Sequence, residues 1–282
     1  MQKVSFKVSI NHDNMTVGDF LSKENHVSRR LITKLKQTDN GITKNGVHTK
    51  TIDRVSIGDI IEITLSDEKT LEQNPSLSVP IVYEDDELIV FDKPAFMPVH
   101  PSHGHINDTL GNFFSHHCQG LTCRTINRLD RDTSGLCMVA KNSYCAKLLQ
   151  SSLKKTYYAT VCGITPKFGT INAPIARQAQ SIITRCVCES GQFAVTHYEK
   201  IFENQKYSLL KISLETGRTH QIRVHFSHIG YPLCGDDMYG GSMSDINRQA
   251  LHCGELEFTH PISGKAIVLS SPLPQDIASL FK

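Results

Sequence analysis

The residues best suited to chemistry lie in one stretch, RTINRLDRDTSGLCMVAK, which begins at Arg124. Its first half is polar and rich in turn-forming residues, and its second half, residues 136–140, is apolar. This pattern predicts a loop that leads into a buried strand. Loops held by a rigid scaffold commonly carry catalytic groups, so Asp130 is a candidate nucleophile or base. From the local pattern alone, Asp130 could equally cap a turn or pair with Arg128 or Arg131.

Two further stretches place polar groups beside predicted strands. KKTYYATVCG, which begins at Lys154, has strand chemistry. Adjacent side chains of a strand point to opposite faces, so only one of its two tyrosines can enter a cleft. TGRTHQIRVH, which begins at Thr216, follows an alternating strand and changes to helical spacing at Arg218. The positive N-terminal end of that helix, with Arg218 and Arg223, would then lie near a sheet edge. Taken alone, the first stretch also fits a core aromatic, and the second a surface helix that binds nothing.

The elements that would position these residues are mainly strands. Residues 81–91 contain two β-rich runs around the acidic sequence EDDE, which is a hairpin signature. Helices are predicted from residue 109, with Asp108 as the N-terminal cap, and over residues 143–153, where apolar residues recur at helical spacing. The remaining predictions are strands at residues 169–175, 182–187, 194–202 and 207–214, and a closing strand and short helix between residues 267 and 282.

The first 65 residues differ from the remainder in charge. They contain ten Lys and Arg against seven Asp and Glu, a net charge of +3, whereas the whole chain carries +2 and the remainder therefore −1. Apolar spacing between residues 17 and 35 predicts two short amphipathic helices, the second with Arg29, Arg30 and Lys34 on its polar side. Basic side chains gathered on one helix suit a phosphate backbone, although a solvated helix face has the same pattern.

Together these stretches resemble the RluA-type RNA pseudouridine synthases, the family that isomerises uridine to pseudouridine in ribosomal and transfer RNA. The residues NRLDRDTSG match the family motif H-R-L-D-x-x-T-S-G, with Asn127 in place of the usual His. The family patterns K-x-Y-x-A-x-V-x-G and T-G-R-T-H-Q-I-R-V-H fall on residues 155–163 and 216–225. The resemblance implies that Asp130 is the nucleophile and that Tyr157 is the tyrosine that enters the cleft.

Further site residues follow from the same motifs. Arg223, the second arginine of the third motif, is predicted to pair with Asp130, and Arg218 is the alternative. Arg128 is predicted to hold a phosphate or to fill the position that a flipped uridine leaves. The complete set of predicted substrate contacts is Arg128, Thr133, Arg218, Gln221, Arg29, Arg30 and Lys34.

The resemblance also implies the fold. Two helices, a K-N-G-V turn and a G-D-x-I-x-I strand resemble the small S4-type RNA-binding domain of ribosomal proteins, which is predicted at residues 1–66. Residues 67–79 are polar and predicted to be a linker. Residues 80–282 are predicted to form an α+β pseudouridine synthase domain, with a mainly antiparallel mixed β-sheet flanked by helices and loops. The cleft would cross the sheet between the Asp130 loop and the helix near Arg218.

The implied reaction breaks the glycosidic bond, turns the base and rejoins it through carbon, so it needs no redox partner and no added group. We therefore expect no cofactor, and the sequence has neither a Walker-type phosphate loop nor a strand-borne G-x-G-x-x-G turn. The cluster of His116, His117, Cys118 and Cys123 matches no standard zinc spacing, so no metal site is predicted. Burial alone would neutralise Asp130, and a nearby guanidinium would restore its ionised form.

The expected partner is RNA, with large-subunit ribosomal RNA favoured over transfer RNA. Two other functions fit parts of the sequence. One is an RNA-binding protein without activity, and the other is a carboxylate-dependent nucleosidase or glycosidase in which Asp236 or Asp237 supplies a second acid.

We expect a cytoplasmic monomer that does not contact membranes. No apolar run reaches the ~20 residues of a membrane span, and the start MQKVSFKVSI lacks the apolar core of a signal peptide. Nine cysteines without a repeated C-x-x-C pair suit reduced thiols better than a disulfide framework.

Overall fold

The computed structural model describes residues 2–65, 70–179, 181 and 183–282. Residues 2–65 contain the strands β1 (Gln2–Lys7), β2 (Ile42–Lys44), β3 (Val47–His48) and β4 (Ile60–Leu65), which form an antiparallel sheet in the order β1-β4-β2-β3. Two helices accompany them: α1 (Val17–Asp19), which continues as a π-helical turn over Phe20–Glu24, and α2 (Arg29–Leu35). Ile61, Ile63 and Leu65 of β4 are buried, which confirms the predicted alternation in this strand.

A larger sheet of ten strands follows. Its strands are β5 (Ile81–Glu84), β6 (Leu88–Lys93), β7 (Arg124–Thr125), β8 (Ser134–Ala140), β9 (Lys154–Cys162), β10 (Phe168–Asn172), β13 (Val195–Glu203), β14 (Tyr207–Leu214), β15 (Leu251–Thr259) and β16 (Ala266–Ser270). The order is β10-β13-β14-β9-β15-β8-β6-β5, with β7 on β8 and β16 on β15. Among the strands described, only β8 and β15 pair in parallel, so the predicted mainly antiparallel mixed sheet is confirmed.

Strand β8 lies inside this sheet, and all seven of its residues are buried. Gly135 has a φ of 107°, and a Cβ at this position would stand 2.3 Å from the carbonyl oxygen of Cys253. Only glycine therefore permits the close parallel pairing of β8 with β15. The predicted buried strand is confirmed, and the polar residues before it form a loop at its N-terminal end.

The helices of this region are α3 (Leu110–His117), α4 (Ser143–Ser152), α5 (Gln221–His228) and α6 (Gln275–Ala278). Thr109, and not Asp108, caps α3: its hydroxyl accepts from the amide of Asn112 at 3.3 Å, and the Asn112 side chain accepts from the amide of Thr109 at 3.2 Å. The carboxylate of Asp108 lies 2.7 Å from Nδ1 of His105 instead. The prediction of Asp108 was wrong because the reciprocal capping pair needs residues three apart, and only Thr109 stands at that spacing from Asn112.

The predicted strand at residues 169–175 is divided in the structure. Pro174 lacks an amide proton, so the chain leaves the large sheet there and begins a separate hairpin of β11 (Ile175–Arg177) and β12 (Arg185–Val187). The predicted strand at residues 182–187 is shortened to β12, and Ile182 lies outside the described residues.

Helix α5 begins three residues later than the helical spacing suggested. His220 has a φ of 57°, in the left-handed region, which interrupts a helix that would otherwise begin at Arg218. Residues 218–220 are therefore a turn between β14 and α5.

The described part of the predicted linker, residues 70–79, packs along α3. The carbonyl oxygen of Glu72 accepts from Nδ2 of Asn112 at 2.8 Å, and that of Leu71 accepts from Oγ of Ser115 at 2.7 Å. Residues 70–79 make these contacts through backbone carbonyl oxygens, so the polar side chains of the segment did not indicate that it would pack on α3. Residues 67–69 of the predicted linker lie outside the described part of the chain.

The small sheet contacts the large one through α4. Phe6 of β1 packs edge to face on Tyr144, with ring centroids 5.4 Å apart, and Nζ of Lys147 donates to the carbonyl oxygen of His26 at 2.8 Å. In the ranges that the structure describes, no helix has both the length and the apolar character to cross a membrane.

Candidate active site

Asp130 lies in the loop between β7 and β8, and Asn127 ties the start of this loop to the strand. Nδ2 of Asn127 donates to the carbonyl oxygen of Leu136 at 2.9 Å, and Oδ1 accepts from the amide of Met138 at 2.8 Å. Asn127 is buried. Asn127, which stands in place of the usual His of the motif, therefore fixes the start of the loop to the backbone of β8.

Three side chains from other segments hold the remainder of the loop. Nζ of Lys93 donates to the carbonyl oxygen of Arg131 at 3.0 Å, and Nη1 of Arg248 donates to that of Asp132 at 3.1 Å. Nε2 of Gln249 donates to the hydroxyl of Thr133 at 3.3 Å. Because each anchor reaches a different residue, the loop has a defined position beside Asp130.

Arg223 of α5 is the cation that meets Asp130. Its Nη1 donates to Oδ2 of Asp130 at 3.0 Å, while Nε and Nη2 donate to the two carboxylate oxygens of Asp236 at 2.7 and 2.8 Å. The guanidinium also stacks on the ring of Tyr239, 4.9 Å from its centroid. Hydrogen bonds and charge from the two carboxylates raise the pKa of Arg223 despite the opposing effect of burial. Its charge is therefore permanent.

Sequence reasoning did not identify the roles of Asp236, Tyr239 and His220. Asp236 is buried and makes a bidentate pair with Arg223, so it supplies a countercharge and is not a proton donor. His220 lies with Nδ1 2.8 Å from the Tyr239 hydroxyl and Nε2 3.8 Å from Oδ2 of Asp130. His220 lies within the third motif, which was its only signal, whereas no local pattern joined Asp236 to Arg223.

Tyr157 of β9 is the tyrosine that faces the cavity. Burial is the main cause that raises its pKa well above the usual value, and Cys253 and Asp130 add to it, so the hydroxyl keeps its proton. Tyr158 points to the opposite face, where its hydroxyl donates to Glu255 at 2.8 Å. The structure thus brings Tyr157, Asp130 and Arg223 to one place.

These groups line a cavity of about 990 Å³ that opens to solvent. Arg128 and Arg218 stand exposed on its wall. Nε of Arg218 donates to the carbonyl oxygen of Phe193 at 3.0 Å, and Arg128 makes no hydrogen bond or ion pair within the described residues. Both cations are therefore open to an anionic ligand that enters the cavity.

Two of the predicted substrate contacts, Gln221 and Thr133, are buried and make hydrogen bonds within the protein. Oε1 of Gln221 accepts from the Thr216 hydroxyl and the Arg218 amide, and its Nε2 donates to the carbonyl oxygen of Val195. Thr133 is also buried, with its hydroxyl bonded to Gln249. Their polar atoms hold the turn before α5 and the Asp130 loop, and both residues also line a small pocket beside Asp130, so their contact with substrate stays a prediction.

Two histidines outside the cavity, His252 and His260, make hydrogen bonds within the fold. The His252 ring bridges the Ser134 hydroxyl and the Ser271 carbonyl oxygen, and Nδ1 of His260 accepts from the amides of Ile262 and Ser263. Within the described residues, no group of three or more His, Cys, Asp or Glu side chains could hold a metal ion.

The basic residues of the small sheet lie elsewhere. Arg29, Arg30 and Lys34 are on α2, where both arginines are exposed. None of the three lines the cavity. Their predicted contact with substrate therefore needs a ligand that extends beyond the cavity.

Comparison with known proteins places these features in a family. Residues 87–228 match the RNA pseudouridylate synthase family. The chain is 38% identical over 280 residues to the Bacillus subtilis protein named uncharacterized RNA pseudouridine synthase YjbO, and the alignment covers 95% of this chain and 99% of that one. It is 39% identical over 228 residues to ribosomal large subunit pseudouridine synthase D of Pseudomonas aeruginosa, covering 73% of this chain and 71% of that one.

A solved structure gives the same result. Human RNA pseudouridylate synthase domain containing 1 aligns with a TM-score of 0.58 and 26% identity, over 72% of this chain and 86% of that one. The family match spans both the Asp130 loop and α5. The chain therefore belongs to the RNA pseudouridylate synthase family and is an isomerase that acts on RNA.

Proposed function

We propose that this enzyme isomerises one or a few uridines of structured large-subunit ribosomal RNA, with Asp130 as its nucleophile. The observation that carries the proposal is the 3.0 Å contact between Asp130 and Arg223 in a cavity that also contains Tyr157. The choice of ribosomal RNA is supported by the name of the P. aeruginosa relative, and transfer RNA is the alternative substrate.

The chemistry divides among three residues. Arg223 donates to Asp130 and orients its carboxylate, which attacks the ribose or the uracil ring so that the glycosidic bond opens. The base turns, a carbon–carbon bond to the ribose forms, and the base carbon then loses its proton. Tyr157 offers its ring face to the uracil. Its hydroxyl accepts the proton of the base carbon only as it gives its own proton to water in the open cavity, so it acts as a relay.

The target base must leave its stack to reach this cavity, at a cost of a few kcal/mol. Arg128 stands on the cavity wall without a protein partner among the described residues, so it is placed to contact a phosphate or to occupy the vacated position. We propose that residues 2–65 act as the S4-type module and hold the flanking RNA through Arg29, Arg30 and Lys34.

We also propose that the enzyme works as a monomer in the cytoplasm. All nine cysteines are free thiols, as in proteins of a reducing compartment.

The decisive experiment is pseudouridine mapping of total RNA from cells that carry the intact gene, a deletion or Asp130→Asn. We expect the same few ribosomal positions to lose pseudouridine in the deletion strain and in Asp130→Asn. Glu189→Gln, which changes an exposed carboxylate outside the cavity, should keep them. If pseudouridine were lost at transfer RNA positions instead, transfer RNA would be the substrate. If the ribosomal positions stayed modified in Asp130→Asn, the assignment of Asp130 as the nucleophile would be refuted.

A further inference from the structure

His220 occupies an unusual backbone position between α5 and Asp130. It has φ 57° and ψ 19°, a left-handed conformation that residues with a Cβ adopt at an energetic cost. Its side chain is only 10% exposed. Such a conformation persists only where the surrounding structure maintains it. The contacts of the two ring nitrogens indicate the role of His220.

A chain of hydrogen bonds decides which ring nitrogen carries the proton. The backbone amide of Arg185 donates to the Tyr239 hydroxyl at 3.0 Å. The Tyr239 oxygen and Nδ1 of His220 lie 2.8 Å apart. We assign the Tyr239 hydroxyl as the donor, because the opposite tautomer would turn the lone pair of Nε2 toward the Asp130 carboxylate. Nδ1 is then an acceptor, so a neutral ring must carry its proton on Nε2. That N–H faces Oδ2 of Asp130 across 3.8 Å.

The surroundings of the ring favour this neutral form. Asp130 from the loop before β8 and Asp236 from the turn after α5 favour a charged ring, whereas Arg223 from α5 and Arg185 from β12 oppose it. Burial is the largest influence, and it lowers the pKa of His220 below the usual value. Around neutral pH the ring is therefore a dipole with Nε2–H directed at the carboxylate.

The two neighbours of Asp130 meet the same oxygen. Nη1 of Arg223 and Nε2 of His220 both face Oδ2, while Oδ1 has no hydrogen bond within the described residues. The carboxylate is thus held from one side, and Oδ1 is the oxygen left for the substrate.

We propose that His220 is a positioning residue for the isomerisation: its Nε2–H, oriented by Tyr239, holds Oδ2 of Asp130 so that Oδ1 meets the substrate. This inference rests on the proposed role of Asp130 as the nucleophile. The 3.8 Å separation is longer than a hydrogen bond, and such contacts commonly shorten when the substrate binds. The proton of His220 is not transferred, so the reaction remains balanced without it.

Two substitutions of His220 test the contributions of Nδ1 and Nε2 separately. In His220→Asn the side-chain oxygen can still accept from Tyr239, and Asn tolerates the left-handed backbone, but nothing reaches Asp130. In His220→Gln the amide nitrogen can occupy the position of Nε2 and still donate to the carboxylate. Single-turnover rates on a ribosomal RNA fragment that contains the mapped uridine would be measured for the full chain from pH 5 to pH 9.

We expect His220→Asn to lower the rate at saturating RNA about tenfold, with an RNA affinity and a melting temperature close to those of the unchanged enzyme. His220→Gln should recover most of the rate. Equal rates in all three proteins, or equal losses in both variants with a lowered melting temperature, would overturn the proposal.

A third variant tests the orientation of the ring. Tyr239→Phe removes the hydroxyl that fixes the tautomer but keeps a ring beside Arg223. Tyr239→Phe should lower the rate of the otherwise unchanged enzyme. In the His220→Asn background it should cause little further loss, because the two substitutions disrupt the same interaction with Asp130. Independent, multiplicative losses would overturn this part. Asp130→Asn, measured alongside, separates the two proposals: if it keeps its activity, the nucleophile assignment fails, whatever the His220 variants do.

Discussion

Arg223 and Asp236 form a buried ion pair next to the carboxylate of Asp130. The side chain of Arg223 is 6% exposed and that of Asp236 is fully buried. A guanidinium this far from water needs partners for most of its donors, and Asp236 supplies two of the three carboxylate contacts. The remaining contact goes to Asp130, which is 29% exposed and faces the cavity. Asp236 therefore sets the direction in which Arg223 presents its charge.

Replacement of Asp236 by Asn should both destabilise the protein and slow the reaction. The buried guanidinium would lose its main countercharge, which costs about 3 kcal/mol of unfolding free energy when one partner of such a pair is removed. Arg223 would also lose its fixed orientation toward Asp130, so we expect the rate at saturating RNA to fall by at least about tenfold. Urea unfolding and single-turnover rates measure the two effects.

The neighbouring Asp237 provides a matched control. It is exposed, so Asp237→Asn should change the unfolding free energy by less than about 0.5 kcal/mol. If Asp236→Asn and Asp237→Asn proved equally stable, the buried pair would have no structural role.

At the scale of elements, the Asp130 loop is held by cations that donate to backbone carbonyls. Lys93, the last residue of β6, is completely buried, and its ammonium group donates to the carbonyl oxygens of Pro94, Met97 and Arg131 at 2.7, 2.8 and 3.0 Å. The first two bonds close the turn after β6, and the third attaches the Asp130 loop to that turn. One side chain thus joins two neighbouring loops at the same edge of the sheet.

The ionisation of Lys93 should make the free energy of unfolding depend on pH. Burial lowers its pKa from 10.5 to about 8. Between these values the unfolded chain binds more protons at this residue than the folded one, so its contribution to stability rises with pH. The advantage in unfolding free energy of the unchanged protein over Lys93→Met should grow by about 3 kcal/mol between pH 8 and pH 10.5. Urea unfolding in reductant at several pH values measures it.

The same series on Lys206→Met, which changes an exposed lysine, should show no such growth. A constant difference between the unchanged protein and Lys93→Met would mean that Lys93 stays charged in the folded state over the whole range, against the expected effect of its burial.

At the scale of the whole molecule, two separate surfaces are available to RNA. One is the cavity of about 990 Å³ beside Asp130, and the other is the basic side of α2, which packs with the small sheet. The Phe6 contact with Tyr144 and the bond from Lys147 to His26 connect the two parts through α4. An RNA that reaches both surfaces would gain affinity from one and undergo chemistry at the other.

Neutralising the basic helix should weaken RNA binding without changing the chemical step. Arg29→Gln with Arg30→Gln removes up to two phosphate contacts, so the slope of log affinity against log salt should fall by about 1 to 2. The rate at saturating RNA should stay within about twofold, because neither residue lines the cavity. Fluorescence anisotropy with the mapped RNA fragment at 50–200 mM salt measures the slope.

A control with the same loss of charge is Lys206→Gln with Lys265→Gln, both exposed and outside the cavity. We expect its salt slope to equal that of the unchanged enzyme. Equal slopes for the two double variants would indicate that α2 does not contact RNA and would contradict its proposed role.

The sequence by itself determined the features that depend on local order. Turn-forming residues before an apolar run predicted the loop at Asp130 and the buried β8, since both turn chemistry and strand burial are properties of neighbouring residues. The alternation of β14 and the spacing of α4 gave those elements nearly to the residue. The motifs also identified Asp130, Tyr157 and Arg223 as candidates, although 93 positions separate Asp130 from Arg223.

Only the tertiary structure decided how these candidates are held. Asp236 and Tyr239 lie in the turn after α5, His220 precedes that helix, and Lys93 ends β6. Their roles depend on which buried donor meets which acceptor in space. Thr133 and Gln221 show the same limit, because no pattern along the chain indicated that their side chains would bond to Gln249 and to the carbonyl oxygen of Val195. Pattern along a chain specifies the type of element, but the satisfaction of buried polar groups is a property of the packed molecule.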